Sequence, residues 1–219
     1  MVTQFLYLND YLKYIIIGII QGLTEPLPIS SSAHIIYINH YLGLKPIDLT
    51  TKVIINFAST LAILIFFIKD IKELLIRTIN NDIKSKKYIL MLFIASIPAA
   101  ILGLLFKDFI DDNYLSFYSS SIMLLFTGLF LLYSYFILKR QNNISHEINI
   151  KSSIVIGLFQ GLALIPGLSR SGMTLTAGIS TNNNIKSTLK FSFFLYLIAS
   201  FGALILELSD INLFIEDAS

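Results

Sequence analysis

The chain has 219 residues, of which 55% are hydrophobic and 14% are charged, with a net charge of +2 and a mean hydropathy of +0.74. Soluble globular domains carry about 25% charged residues, so this composition excludes an ordinary soluble domain. The absence of cysteine excludes a thiolate metal site and a disulfide framework. The basic residues flank apolar runs and form no patch, so no nucleic-acid partner is expected.

Long uncharged runs along the chain predict membrane-spanning helices. A helix needs roughly 17–25 residues to cross the hydrocarbon core, and flanking lysines extend a short one. The predicted spans lie near residues 53–68, 88–106, 117–138 and 190–208. The linking segments are predicted to be polar loops, the first with an amphipathic surface helix: residues 69–87, 107–116 and 139–151. We therefore predict an all-α integral membrane protein, a polytopic helical bundle forming a single membrane domain over residues 1–219.

One polar sequence occurs twice. Residues 18–33 read GIIQGLTEPLPISSSA and residues 157–172 read GLFQGLALIPGLSRSG, with six identities in sixteen positions. Five of the six identities are Gly, Gln or Ser, which a lipid-facing helix has no reason to repeat. Short apolar stretches flank each polar break, so each copy predicts a re-entrant helix-loop-helix hairpin, over residues 18–42 and 157–180. Non-helical backbone at that depth must be buried in protein or line a wet cavity.

The number of spans between the copies sets their relative orientation. Three predicted spans separate them, so the copies enter from opposite sides and define two inverted-topology repeats, about residues 11–138 and 152–208. Eleven Lys and Arg residues lie on one side, against four on the other: Lys13, Lys45, Lys52 and Lys107. The positive-inside rule then predicts a cell-membrane protein whose site faces the extracytoplasmic side. Only one span follows copy two, so its C-terminal helices are expected to be missing.

Copy one carries candidate catalytic side chains. A carboxylate at membrane depth costs roughly 2.5–3.5 kcal/mol, which makes Glu25 a functional candidate over a simple capping residue. Gln21 lies one helical turn earlier on the same face and is suited to an oxygen or a hydrated ion. Its repetition as Gln160 fits a packing role equally well. His34 follows the break, and its closeness to Glu25 favours a site role over a structural one.

Three serines, Ser30, Ser31 and Ser32, precede the second half-helix of copy one. One of them suffices to cap the helix, whose free amide groups attract anions. Ser31 aligns with Arg170 of copy two, which makes it the candidate nucleophile. A serine hydroxyl needs a neighbouring base, and either Glu25 or His34 could serve.

Copy two carries Arg170 in the glycine-containing break PGLSRSGMT. A guanidinium fork beside exposed backbone amides forms a good phosphate site, whereas a purely structural arginine would pair with a carboxylate. Ser169, Ser171 and Thr174 add hydroxyl groups, although a threonine in a membrane helix often bonds only its own backbone. Base, hydroxyl nucleophile, histidine and arginine together suit attack on a phosphate ester or anhydride whose remainder is a lipid.

The stretches QGLTEPLPISSSAH and LALIPGLSRSGMT closely resemble the two signature regions of the undecaprenyl-diphosphate phosphatase family, the bacitracin-resistance membrane phosphatases. Residues 56–71 and 95–110 resemble two further helices of that family, and the resemblance covers most of residues 11–208. It implies hydrolysis of undecaprenyl diphosphate to undecaprenyl phosphate and inorganic phosphate, which recycles a cell-wall carrier lipid. It also implies a divalent cation, Mg²⁺ or Ca²⁺, and allows a homodimer.

By position, the resemblance assigns Glu25, Ser31, His34 and Arg170 to catalysis, with Ser31 or His34 as the nucleophile. Gln21 and Glu25 map to the acidic motif that would hold the cation. Many family members have Glu where this chain has Gln21, which leaves Glu25 as the main ligand. Pro26 and Ala33 also depart from the family pattern, as does the short C-terminus.

Two other functions compete with the phosphatase. Inverted repeats around broken helices are typical of transporters, so a polyprenyl-phosphate transporter or flippase is the alternative. A third hypothesis is a degenerate binding or assembly subunit. A pure carrier needs Arg170 but no nucleophile–base pair, so Glu25, Ser31 and His34 favour the enzyme.

Overall fold

The structure is a computed structural model that describes residues 10–43, 49–141, 144–145 and 147–217. Lys45, one of the lysines counted for orientation, lies outside those ranges. The described chain forms helices and no strand. In chain order these are α1 Asp10–Thr24, α2 Ser31–Tyr41, α3 Leu49–Phe66, α4 Ile68–Ile79, α5 Ile83–Tyr114, α6 Phe117–Arg140, α7 Ile150–Leu162, α8 Arg170–Ser180 and α9 Ile185–Asp217.

Three of these helices are long and apolar enough to cross a membrane: α5 over Ile83–Phe106, α6 over Phe117–Arg140 and α9 over Ile185–Ile205. A fourth candidate is the pair α3 and α4, which bends by 64° at its break. Large apolar side chains cover much of the outer surface, including Leu104, Leu105 and Leu125. The prediction of an all-α polytopic membrane protein is confirmed at this level.

The predicted loops are only partly correct. Residues 107–114 continue α5 as helix to Tyr114, so the loop predicted over residues 107–116 is wrong. Residues 69–87 contain most of α4 and the start of α5. Helix α4 has no fully buried residue, as expected of a surface helix. The polarity of Lys107, Asp108 and Asp111 indicated a loop, but a helix end that leaves the bilayer also accommodates charge.

Both motif copies form helix–break–helix units, as their sequences predict. Helices α1 and α2 flank a break at residues 25–30, and α7 and α8 flank a break at residues 163–169. The two units differ in burial, because eight of the 11 residues of α8 are buried whereas α2 buries only Ala33. The second unit therefore lies at the centre of the bundle.

The packed core joins four helices around this second unit. Its members come from α5, α7, α8 and α9 and from a position two residues before α7: Met91, Leu92, Ala95, Ile148, Ile156, Ala177, Phe191, Phe194 and Leu195. Helix α6 packs on α8, and α9 also packs on α3. The first unit joins this core through contacts of α1 with α3 and of α2 with α6. This arrangement brings the two breaks together.

Helices α5 and α7 approach so closely that glycine is required on α7. A Cβ at Gly157 would lie 2.4 Å from the carbonyl oxygen of Ala95, and one at Gly161 would lie 2.7 Å from Cδ1 of Leu102. Their repeat counterparts in α1, Gly18 and Gly22, have no atom of the described residues within 4 Å of such a Cβ. Among the described residues, the repeated glycines thus serve close packing in copy two only.

The second break keeps its backbone hydrogen-bonded without being helical. Thr127 of α6 donates its hydroxyl to the Gly167 carbonyl at 2.9 Å and accepts from the Ser169 amide at 2.9 Å. Gly167 has a φ of +102°, and a Cβ there would lie 2.5 Å from the Ser120 carbonyl oxygen. Unpaired backbone groups are costly in an apolar environment, so Thr127 stabilises the break.

Candidate active site

A cavity of about 330 Å³ lies where the two breaks meet. Polar groups from both motif copies line it: Glu25, Ser30, Ser31, Ser32, Ser169, Arg170 and Ser171. Apolar residues of the second break, α5 and α9 line the rest, including Leu164, Ala99 and Leu204. The cavity thus offers charged and hydroxyl groups beside an apolar wall.

Glu25 contacts three other polar side chains. It lies just after the C-terminus of α1, and its side chain is 9% exposed. Oε2 accepts from the Ser31 hydroxyl at 2.5 Å and from Nε2 of Gln21 at 2.9 Å. Oε1 accepts from Nη2 of Arg170 in an ion pair. The carboxylate therefore contacts the candidate nucleophile and the candidate phosphate ligand at once.

Arg170 is the first residue of α8, directly after the break. Its side chain remains 27% exposed, so the guanidinium is accessible from the cavity despite its partner Glu25. The guanidinium carbon Cζ also lies 3.7 Å from the centre of the Tyr196 ring. Arg170 is thus held by a carboxylate of copy one and by an aromatic face of α9.

Direct contacts join the two breaks. The Ser171 hydroxyl donates to the Leu27 carbonyl at 2.9 Å. A Cβ on Gly172 would lie 3.3 Å from the Pro28 carbonyl oxygen, so the start of α8 lies directly against the first break. These contacts and the Glu25–Arg170 pair assemble one site from residues 145 positions apart in sequence.

The serines before the two half-helices differ in their roles. Ser169 caps α8, since its Oγ accepts from the Gly172 amide at 3.2 Å, and its hydroxyl lies 3.3 Å from that of Ser171. Ser30 occupies the corresponding position before α2, but its side chain makes no capping bond. Its φ of 62° lies in the left-handed region, and its hydroxyl is 3.1 Å from that of Ser32. The Ser30 conformation redirects the chain so that Ser31 contacts Glu25.

Two predicted site residues are placed away from the cavity wall. His34 has its Nδ1 2.8 Å from the Ser30 carbonyl oxygen, which only accepts, so the proton lies on Nδ1. Thr174 is fully buried, donates to the Arg170 carbonyl at 2.8 Å and contacts the Ser192 hydroxyl at 2.6 Å. Thr174 therefore bonds the backbone of its own helix and a serine of α9, and this geometry does not favour its predicted direct contact with phosphate.

Few of the described residues could bind a divalent cation. The described part of the chain contains no cluster of three or more Asp, Glu, His or Cys side chains that could hold a metal. Gln21, however, is 3% exposed, and its Oε1 has no hydrogen-bond partner among the described residues. Gln21 presents Nε2 to Glu25 in this conformation, so its carboxamide would have to turn to offer Oε1 to an ion held by Glu25. Mg²⁺ typically binds one or two carboxylates together with substrate phosphates and water.

Sequence reasoning did not single out Tyr196 and did not assign Gln160 to the site, although both line this cavity. Tyr196 lies in a long apolar run, where an aromatic residue looks like ordinary helix composition. Gln160 lines the cavity at 2% exposure, and neither Nε2 nor Oε1 has a partner among the described residues. Its repetition of Gln21 was the one signal available, and it also fitted a packing role.

A second cavity, of about 370 Å³, lies along the N-terminal parts of α5 and α9. Its charged residues pair with one another, Lys84 with Glu147 and Lys190 with Asp70. The pairing with Lys84 lowers the pKa of the exposed Glu147 carboxyl. No residue of either motif copy lines this cavity, so the cavity at the breaks is the better candidate for chemistry.

The arrangement at the breaks supports phosphoryl chemistry. The Ser31 hydroxyl is within hydrogen-bonding distance of a carboxylate, which is the requirement for an activated oxygen nucleophile. Arg170 presents N–H donors suited to phosphate oxygens. The apolar wall is suited to the hydrocarbon part of a lipid substrate.

Known proteins are similar in sequence to this chain over most of its length. The family model described as bacitracin resistance protein BacA matches residues 14–218. The chain is 40% identical over 215 residues to undecaprenyl-diphosphatase 2 of Bacillus thuringiensis (strain Al Hakam), covering 95% of this chain and 78% of that protein. It is 42% identical over 209 residues to undecaprenyl-diphosphatase of Acholeplasma laidlawii (strain PG-8A), covering 89% and 74%. This chain therefore belongs to the bacitracin resistance protein BacA family.

Proposed function

We propose that this protein hydrolyses undecaprenyl diphosphate to undecaprenyl phosphate and inorganic phosphate. The observation that carries the proposal is the hydrogen bond of Ser31 to Glu25, beside the Glu25–Arg170 ion pair, in a cavity with an apolar wall. Family membership and the names of the relatives support the same activity. The activity makes the protein a hydrolase that recycles a carrier lipid of peptidoglycan synthesis.

In the proposed reaction, Arg170 binds the diphosphate and Glu25 takes the proton of Ser31. Serine Oγ then forms a bond to the terminal phosphorus while the bond from that phosphorus to the bridging oxygen breaks. Undecaprenyl phosphate leaves with the bridging oxygen. Water next attacks the phosphorus of the phosphoserine, and the bond from phosphorus to serine Oγ breaks. Oγ takes back the proton held by Glu25, and the proton of the water leaves with the inorganic phosphate.

His34 remains the alternative nucleophile. Its Nδ1 is occupied by the Ser30 carbonyl, which leaves Nε2 as the nitrogen free to attack phosphorus or accept a proton. Ser31 is the better candidate because it already contacts Glu25. The hydroxyls of Ser30, Ser32 and Ser169 would add hydrogen bonds to the phosphate oxygens, and the Ser171 hydroxyl would do so after giving up its bond to the Leu27 carbonyl.

Glu25 and Gln21 would hold the divalent cation that the family resemblance implies. The Gln21 Oε1 atom is buried without a partner among the described residues, and Glu25 supplies the carboxylate. When bound, Mg²⁺ or Ca²⁺ would neutralise charge on the diphosphate. Arg170 would exchange its bond to Glu25 for bonds to phosphate, which frees a carboxylate oxygen.

We infer that the two helix–break–helix units are re-entrant hairpins of inverted repeats. Their helices have 15, 11, 13 and 11 residues, fewer than the roughly 17–25 needed to span a bilayer. The distribution of Lys and Arg supports a plasma-membrane protein with its site on the extracytoplasmic side. A homodimer fits the family resemblance and is best tested by mass measurement in detergent.

Phosphate release from undecaprenyl diphosphate by the purified protein, with and without Mg²⁺, tests the proposal. Glu25→Ala, Ser31→Ala and Arg170→Ala are each expected to lower kcat/KM by at least about 100-fold. They remove the proposed base, the proposed nucleophile and the proposed phosphate ligand, respectively. Glu73→Gln and Ser180→Ala are matched controls on exposed surfaces and should retain activity. Full turnover by Arg170→Ala would exclude the proposed site.

The competing hypotheses give different results in the same preparation. The transporter hypothesis has no support from the family or from the names of the relatives. Movement of lipid across vesicles without phosphate release would favour it nonetheless. Binding of the lipid with neither activity would favour the third hypothesis, a binding or assembly subunit.

A further inference from the structure

Tyr196 lies against the guanidinium of Arg170 and has no assigned role. The ring centre is 3.7 Å from Cζ of Arg170, well inside the roughly 6 Å range of a cation–π contact. Tyr196 is 5% exposed and lines the same cavity as Glu25 and Ser31. The contact is therefore largely shielded from water. Cation–π attraction is stronger between groups that are removed from water.

The orientation of the ring is fixed at its far end. The Tyr196 hydroxyl lies 3.0 Å from Oγ1 of Thr60, a residue of α3 that is 1% exposed. Thr60 donates its only hydroxyl proton to the Asn56 carbonyl at 2.8 Å. Tyr196 must therefore be the donor to Thr60, because each hydroxyl has a single proton. This bond ties α9 to α3 and limits rotation of the ring.

The ring and the carboxylate hold Arg170 in different ways. Glu25 occupies an in-plane N–H of the guanidinium, which a phosphate oxygen would also need. Tyr196 contacts the flat face and leaves the in-plane donors free. When phosphate replaces Glu25, only the aromatic contact would still restrict this long, flexible side chain.

We propose that Tyr196 is a positioning residue that keeps the Arg170 guanidinium in the cavity while its N–H groups exchange Glu25 for phosphate oxygens. The inference rests on the proposed function, since it takes the ligand to be a lipid diphosphate or its monophosphate product. The role belongs to the ring face, and the hydroxyl serves to orient that face.

Two substitutions at Tyr196 separate the ring from the hydroxyl. Tyr196→Leu is expected to lower kcat/KM and to weaken binding of undecaprenyl phosphate, each by about tenfold, because the guanidinium loses its support. Tyr196→Phe keeps the ring and should stay within about threefold of the unmodified protein. Tyr133→Leu is a matched control on the exposed face of α6 and should change neither quantity. Tyr196→Met supplies a second ring-free variant if Tyr196→Leu folds poorly.

A double-mutant cycle with Arg170→Lys shows whether Tyr196 acts through Arg170. Binding of undecaprenyl phosphate, followed by thermal shift, is the readout, so the cycle does not depend on turnover. Once the guanidinium is absent, Tyr196→Leu should weaken binding far less than in the unmodified protein. Additive effects, or a Tyr196→Phe variant as impaired as Tyr196→Leu, would overturn the inference. Absence of phosphate release by the unmodified protein would instead refute the proposed function.

Discussion

At the residue scale, the chemistry converges on a single carboxylate. Glu25 accepts hydrogen bonds from Gln21, Ser31 and Arg170, so its three neighbours are in place before any substrate binds. Such preorganisation lowers the cost of aligning base and nucleophile. The same closeness means that substitution of Glu25 affects several functions at once, and that single-variant kinetics do not partition their contributions.

Gln160 offers a separate test at this scale. Its buried carboxamide has no partner among the described residues, which costs roughly 1–3 kcal/mol unless a ligand satisfies it. Gln160→Met should therefore preserve or raise the thermal unfolding temperature while it raises KM for the lipid diphosphate about tenfold. In this conformation the carboxamide atoms of Gln160 are buried. The side chain would therefore have to rotate to bring them to the phosphate.

Thr188→Val is the matched control for Gln160→Met. Thr188 is also fully buried, and its hydroxyl has no partner among the residues that the structure describes, but it does not line the cavity. This variant should gain stability without a change in KM. If Gln160→Met has the KM of the unmodified protein, Gln160 is a packing residue and not a ligand for substrate.

At the element scale, the repeated glycines divide into two classes. Gly157 of α7 meets the backbone of α5, whereas its counterpart Gly18 of α1 has no such neighbour in the described part of the chain. The repeat predicts the same role for both positions, and only the packing of the central helices distinguishes them. Helix α7 forms part of the wall that carries the second break.

Substitution of the two glycines by alanine should therefore have opposite effects. Gly157→Ala places a Cβ 2.4 Å from the Ala95 carbonyl oxygen and should destabilise the protein by about 1–3 kcal/mol. Gly18→Ala should be neutral or stabilising by roughly 0.5–1 kcal/mol, because alanine favours a helix. Thermal unfolding in detergent measures both, and equal effects would contradict the packing described for α5 and α7.

At the scale of the whole molecule, the two cavities lie along different parts of the same helices. Residues 84–91 of α5 line the charged cavity, whereas Ala99 of α5 and Leu115 just beyond it line the candidate active site. The N-terminal end of α5 thus lies on the side of the charged cavity, and its C-terminal end lies on the side of the candidate active site. Labelling one residue on each side therefore tests the predicted orientation.

The sequence has no cysteine, so single-cysteine variants report topology without background labelling. Asn113→Cys, near the C-terminal end of α5, should react with a membrane-impermeant thiol reagent in intact cells. Lys72→Cys on α4 should react only after permeabilisation, because the excess of Lys and Arg places that side in the cytoplasm. The reverse pattern would put the candidate site on the cytoplasmic side.

Much of this protein is determined by its sequence alone. Hydropathy gives the apolar spans because a bilayer demands long uncharged helices, and the repeat gives both breaks because Gly, Pro and Ser interrupt them. The same pattern singled out Glu25, Ser31 and Arg170, since polar groups at membrane depth are costly without a role. Charge was a weaker guide to helix ends, as α5 shows by continuing to Tyr114.

Only the tertiary structure decided which of these residues meet. Contacts between the breaks bring Glu25 to Arg170 and Ser171 to the Leu27 carbonyl, pairings that no local periodicity specifies. Tyr196 acquires its place under Arg170 because α9 packs beside both α3 and α8. Local patterns report the environment of each residue, whereas partners far apart in sequence are fixed by how the helices pack.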